Sequence, residues 1–363
     1  MGPWPCADST WRSTDTLPRV PELQLDGIVG PTHNYAGLSL GNVASNANQG
    51  STSRPRSAAL QGLTKMEAIA SLGIPQGFLP PQERPHLPTL RALGYSGRDE
   101  QVLERVAREE PTLLAAVSSA SSMWAANAAT VTPSVDARDG RVHFTPANLR
   151  SMFHRSLEPA TTAAALAAAF PDRDRVVVHD PLPSTGPYGD EGAANHTRLV
   201  RGADAPPQPA AGPRGASAGA RDAASLPGVH FFVFGAAIDA SAPAPSRYPA
   251  RQDERASRAI ARRHAIDPAS ALFARQRPES IDRGVFHNDV ICVGNESLLL
   301  VHEHAFVDQS SVLERLASLV DDGGRTAGSS ERRPRGGSLR IEIIRADEIS
   351  VDDAVRTYLF NSQ

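Results

Sequence analysis

Val290-Ile291-Cys292-Val293-Gly294-Asn295-Glu296-Ser297-Leu298-Leu299-Leu300-Val301-His302 is the stretch on which the fold reading turns. Two short runs of aliphatic residues flank Gly294-Asn295, residue types that accept the backbone of a tight turn, so Val290 to Val293 and Leu298 to His302 read as a hairpin. Downstream, Val312, Leu316 and Leu319 recur at helical spacing, and Leu339 to Ile344 makes a further strand. Strand, strand, helix, strand is a unit that builds α/β domains. Working outward, Val131 to Ser134 and Arg141 to Phe144, joined through Asp139-Gly140, read as a second hairpin. Leu23 to Gly30 reads as a strand. Residues 56 to 72 place Ala59, Leu63, Met66 and Ala70 on one helical stripe, stopped by Gly73 and Pro75, and residues 99 to 109 do the same with Val102, Leu103 and Val106. Ser350 with Asp353 three residues on opens another helix, and the run from Tyr358 to Gln363 reads as the start of a strand.

The chain has 363 residues, ample for one large core, and a formal net charge of −3, which offers no basic footprint for nucleic acid or an anionic membrane surface. No run approaches the roughly twenty apolar residues that span a bilayer, and Met1 to Thr16 lacks the basic start and apolar segment of a secretory signal. Cys6 stands where a myristoylation motif needs Ser or Thr. Its only other cysteine is Cys292; two so far apart form no disulfide framework or zinc spacing, which fits a reducing compartment. The expectation is a cytoplasmic protein with a small-molecule partner. Residues 1 to 18 read as a disordered tail, and 203 to 227 and 321 to 338 as loop insertions, because they hold too few bulky side chains to offset the entropy of ordering them. Residues 19 to 363 then form a single domain.

Two short motifs carry chemistry. Gly189-Asp190-Glu191-Gly192-Ala193-Ala194-Asn195-His196 presents carboxylates on a glycine-flanked turn, and Val285-Phe286-His287-Asn288-Asp289 presents a histidine and a carboxylate beside a strand. Together they could hold a flat cation and move protons around it. Taken singly, Asp190-Glu191 is a turn former, His287 a hydrogen-bonded strand-end histidine, and Arg155 and Arg251 surface salt-bridge partners. His302-Glu303-His304 alternates like a metal-binding strand, but no third ligand is evident, so a polar strand exit is the better reading and no metal is expected.

The joint occurrence of several segments in order raises the catalytic reading. Asp26-Gly27-Ile28-Val29-Gly30-Pro31-Thr32-His33-Asn34-Tyr35-Ala36-Gly37-Leu38-Ser39, Pro80-Pro81-Gln82-Glu83-Arg84-Pro85, Met123-Trp124-Ala125-Ala126-Asn127-Ala128-Ala129-Thr130, Phe153-His154-Arg155-Ser156-Leu157-Glu158, Ser246-Arg247-Tyr248-Pro249-Ala250-Arg251-Gln252 and the two motifs above resemble N-succinylarginine dihydrolase. The resemblance runs from about residue 22 to the last residue. It implies the pentein fold of guanidine-modifying enzymes, an α/β-propeller of strand-strand-helix-strand units, here with its last blade incomplete.

The resemblance also implies a reaction. A cysteine thiolate attacks the guanidinium carbon of N2-succinyl-L-arginine, ammonia leaves, water cleaves the intermediate, and a second round yields N2-succinyl-L-ornithine, carbon dioxide and a second ammonia. Glu191 and His287 match the family's catalytic glutamate and histidine, and Asp289 a substrate-binding aspartate. His154, Arg155, Arg251, Asn127 and the loop Ala36, Gly37, Leu38, Ser39, Leu40, Gly41, Asn42, Val43, Ala44, Ser45 match the remaining substrate-binding positions. Arginines suit a ligand with two carboxylates, since their N–H groups form a fork, and Gly37 and Gly41 would let backbone N–H groups approach an anion. No cofactor is implied, and a homodimer is expected from the family alone. In the family the nucleophilic cysteine follows a glycine-rich turn beyond the last residue of this sequence. Cys292 does not replace it, because it alternates with apolar neighbours as a small buried hydrophobe does. A truncated relative, or a non-catalytic binding protein for an arginine derivative, is the alternative expectation. A metal-dependent ureohydrolase is disfavoured by the scarcity of clustered histidine and aspartate.

Overall fold

The computed structural model describes residues 23–35, 37–123, 128–190, 192–202, 226–322 and 338–361. Three copies of one unit dominate. The first is preceded by a two-stranded sheet, β1 (Gln24–Gly27) parallel to β2 (Gln76–Leu79) across the helix Pro55–Ser71. The unit itself pairs β3 (Ala129–Thr132) antiparallel with β4 (Val142–Pro146), then runs through the helix Pro159–Ala169 to β5 (Val176–Val178), parallel to β4. The second repeats it with β6 (His196–Val200), β7 (Gly228–Phe234), the helix Glu254–Arg263 and β8 (Ala271–Arg275). The third uses β9 (Cys292–Asn295), β10 (Leu298–His302), the helix Gln309–Asp321 and β11 (Arg340–Ile344). This repetition is the α/β architecture of strand-strand-helix-strand units expected from the sequence.

Each element follows from local chemistry. In the helix Gln309–Asp321, Leu313, Leu316 and Val320 fall on one buried stripe. They join a core with Leu199, Phe231, Val233, Ile291, Cys292, Leu299 and Val301 from the second and third units. Burying a leucine of this kind contributes about 1.5–3 kcal/mol. The helix Pro55–Ser71 starts with proline and stops where Gly73, at φ 91, takes a left-handed turn. Its expected apolar stripe is not buried, however: only Met66 is, and Leu60 and Leu63 remain exposed. The helix Asp99–Glu109 does bury Val102 and Val106, with two acids in its first turn facing the helix dipole.

Two further expectations are corrected. Val290 is not in the hairpin strand but in a single 3-10 turn, Asn288–Val290, because the His287 to Asp289 segment turns inward there. Tyr358 to Asn361 do not begin a strand, and the last two residues of that run lie outside the described residues. Tyr358 takes φ 52 at the end of the helix Val351–Thr357, and Phe360 is swallowed by the core, so the apolar run is a turn and an anchor. The helix itself starts as read, with the Ser350 hydroxyl and Asp353 carboxylate capping reciprocally. His302 ends β10 with Nε2 2.9 Å from the Ile349 carbonyl and Nδ1 accepting from the His304 N–H, so it is tied within the protein. The tail 1 to 18 and nearly all of the two insertions lie outside the described residues. Among the described residues no helix is long and apolar enough to cross a membrane.

Candidate functional site

The motifs meet at one cavity of about 340 Å3, toward the small end of the range for small-molecule sites. Gly37, Leu38, Ser39, Asn42, Ser45, His154, Arg155, Arg251, His287 and Asp289 line it, drawn from segments up to 250 residues apart. The join between the acidic turn and the histidine segment is explicit. The backbone N–H of Asn288 donates to Asn195 Oδ1 at 2.9 Å, while Asn195 Nδ2 and the Gly192 N–H both donate to Gln252 Oε1. On the other side of the turn, Asp190, at φ 62, accepts from the Ser151 N–H at 2.8 Å. Glu191 itself lies outside the described residues, as do Ala36 and Asn127.

His287, just before the 3-10 turn, and Asp289, within it, are both buried. Burial, then the charges of Arg251 and Arg155, holds the imidazole pKa well below its usual value, so it is neutral and able to accept a proton. Burial pushes the Asp289 carboxyl up to about 7, against the pull of Arg155 and Arg251. Its Oδ2 accepts from Asn361 Nδ2 at 2.6 Å. Its Oδ1, itself buried, accepts a hydrogen bond from no other described residue.

The two arginines are held differently. Arg155 Nε pairs with Glu158 Oε2 at 2.8 Å, and Glu158 also accepts from the Ser121 hydroxyl. Arg251 lies over the Phe286 ring, 5.2 Å from its centroid, with Nη2 donating to the Leu40 carbonyl and Nη1 3.4 Å from His287 Nε2. Desolvation lowers its pKa to about 10, which still leaves it charged. His154, 3.4 Å from the Ser39 hydroxyl, is lowered to about 4 by burial and by Arg155, Arg251 and Arg84, so it too is neutral. The arginines here meet neutral imidazoles, so neither histidine adds a positive charge to theirs.

Four loop residues expected to bind do not line the cavity: Leu40, Gly41, Val43 and Ala44. Leu40 contributes only its carbonyl, to Arg251, and Gly41, at φ 83, lies against the Tyr248 ring. Gly37 is required, since at φ 65 a Cβ would fall 2.6 Å from the Ser45 carbonyl oxygen. Sequence reasoning missed several residues that also line the cavity, among them Ser121, Phe286, Tyr358 and Asn361. Nothing in their spacing marks them. Cys292 is fully buried in the core, its thiol pushed up to about 12 by burial, and does not line the cavity.

The family model described as AstB: Succinylarginine dihydrolase matches residues 19–209 and 203–363. The chain belongs to the succinylarginine dihydrolase family. Members of the succinylarginine dihydrolase family are hydrolytic enzymes of arginine metabolism. The chain is 50% identical over 343 residues to the N-succinylarginine dihydrolase of Marinobacter nauticus, covering 94% of this chain and 69% of that protein. It is 51% identical over 342 residues to that of Burkholderia mallei, with the same coverage. Among solved structures, the N-terminal domain of ArgZ bound to substrate, an arginine dihydrolase from cyanobacteria, is 12% identical with a TM-score of 0.45, covering 93% of this chain and 78% of that one.

Proposed function

We propose that the cavity binds N2-succinyl-L-arginine and that the chain serves its hydrolysis to N2-succinyl-L-ornithine, carbon dioxide and two ammonia. The observation that carries the reading is the pairing of opposite chemistries in one small cavity: a buried carboxylate, one oxygen of which accepts from no other described residue, with buried Arg251 and partly buried Arg155. The substrate has the complementary shape, a guanidinium at one end and two carboxylates at the other. Asp289, with Glu191, grips the guanidinium; this lowers the freedom of a resonance-stabilised cation whose carbon is otherwise a poor electrophile. Arg155 and Arg251 take the carboxylates, Arg251 leaving the Leu40 carbonyl to do so. His287, neutral and buried, takes and returns the proton and activates water.

The covalent step needs a thiolate, and Cys292 does not supply it, being buried and protonated. The second reading is a binding protein for an arginine derivative that keeps the clamps without turnover. Titrating N2-succinyl-L-arginine by calorimetry while following ammonia separates the two. Ammonia release that disappears in Glu191→Ala and His287→Ala supports hydrolysis, and binding without release supports the second reading. Absence of binding contradicts both. A homodimer and a cytoplasmic location remain proposals from the family, and sedimentation of the purified chain tests the first.

A further inference from the structure

Asp289 presents two unlike oxygens. Oδ2 accepts from Asn361 Nδ2, and Oδ1, itself buried, accepts from no other described residue. The Asn361 donor is not on a loose strand of chain. Tyr358 turns left-handed at φ 52, the Asn361 N–H donates to the Tyr358 carbonyl at 2.9 Å, and Phe360 between them is fully buried. The Tyr358 hydroxyl in turn donates to Asn42 Oδ1, tying this turn to the opposite loop, and Thr357, Tyr358 and Asn361 all line the cavity. The polarity of the contact also fixes the amide orientation, because only the amide nitrogen can donate to a carboxylate.

We infer that Asn361 is a positioning residue for guanidinium recognition: its amide holds one oxygen of Asp289 so that the other is free for the N–H groups of the ligand. Without that amide, the carboxylate would rotate about its last bond toward Arg155 and Arg251, the positive charges nearest to it. The donor also favours the ionised carboxylate over the protonated one, so it sets the pH at which the site becomes able to take a cation. A carboxylate fixed before the ligand arrives binds it with less reorganisation. The inference rests on the reading of the cavity as a guanidinium site.

The test compares two ligands by calorimetry over a range of pH: N2-succinyl-L-arginine, and N2-succinyl-L-norleucine, which keeps both carboxylates and lacks the guanidinium. Asn361→Ala is expected to weaken binding of the arginine ligand by about tenfold or more, the scale of a lost hydrogen bond to a charged group. It should leave the norleucine ligand unchanged and move the pH midpoint of arginine-ligand binding upward. Asn361→Ser, which keeps a short donor, is expected to fall between Ala and wild type, and it carries the test if Asn361→Ala does not fold. Equal losses for both ligands would reduce Asn361 to a structural residue and overturn the inference, as would an unchanged midpoint. Failure of the unsubstituted chain to bind N2-succinyl-L-arginine would instead overturn the reading of the cavity itself.

Discussion

At the level of single residues, the site depends on ion pairs that burial makes costly to break. Arg155 and Glu158 are each about one-tenth exposed at the side chain, 12% and 8%. Arg155→Ala strands the Glu158 carboxylate and should cost about 3–5 kcal/mol in urea unfolding, in addition to weakening ligand binding. Arg155→Lys keeps the charge but not the planar fork, and should recover stability better than affinity. Asp289 makes a different prediction. Its carboxyl titrates at about 7 in the free site, and only the ionised form attracts a guanidinium. Affinity should therefore rise about tenfold per pH unit up to about pH 7 and level off above it. His287 adds no opposing step in that range, since burial keeps it neutral. Affinity that is flat from pH 5 to 8 would show that Asp289 does not hold the cation.

Among the elements, hairpins and helices with strong local signals were legible in the sequence. The aliphatic runs marked β9 and β10, but the turn between them falls at Glu296-Ser297, with Glu296 at φ 50, and Gly294-Asn295, read as that turn, pairs within β9; Val102 with Val106 marked a helix bounded as read. The segment after Thr357 was not legible. Three apolar residues cannot distinguish period two from a left-handed turn that buries one of them, so the sequence signals neither the turn at Tyr358 nor the contact of Asn361 with Asp289. Helix Pro55–Ser71 shows the reverse case, a correct element whose stripe is exposed, because periodicity says nothing about what stands opposite. His264 marks a junction that no motif announces. Its ring nitrogens each lie 2.8 Å from a threonine hydroxyl, Thr132 on β3 and Thr145 on β4, so it pins the first sheet unit to the end of helix Glu254–Arg263. Replacing it with alanine removes both partners and leaves a cavity, and should cost about 2–4 kcal/mol by denaturant titration. A cost near zero would show that the junction does not depend on it.

For the whole molecule, the histidines set the response to acid. Burial lowers His154 and His179 to about 4 and His264 to about 2, and drives His196 and His287 well below the usual value. The unfolded chain takes up protons on these rings near pH 6.5, whereas the folded chain does not. Unfolding therefore gains protons below that pH, and the stability these groups contribute is complete above about 6.5 and lost as pH falls toward 4. Asp289 opposes this, since its raised carboxyl favours the folded state at lower pH, but it is one group against these five and His33, His86 and His302, which burial also lowers. The melting temperature should be level from pH 7 to 8 and fall steadily from about 6.5 to 4, and His264→Ala, measured against its own value at pH 7.5, should show a shallower fall. A melting temperature unchanged down to pH 4.5 would mean that these rings are not buried neutral.

The central claim is that Asp289 and the two arginines grip opposite ends of one ligand. Calorimetric titration of N2-succinyl-L-arginine into the chain and into Asp289→Asn at pH 7.5 tests it most directly. The account predicts binding by the unsubstituted chain, weakened by about tenfold or more in Asp289→Asn as a charge-assisted hydrogen bond is lost. Equal affinities, or no binding by the unsubstituted chain, would contradict it.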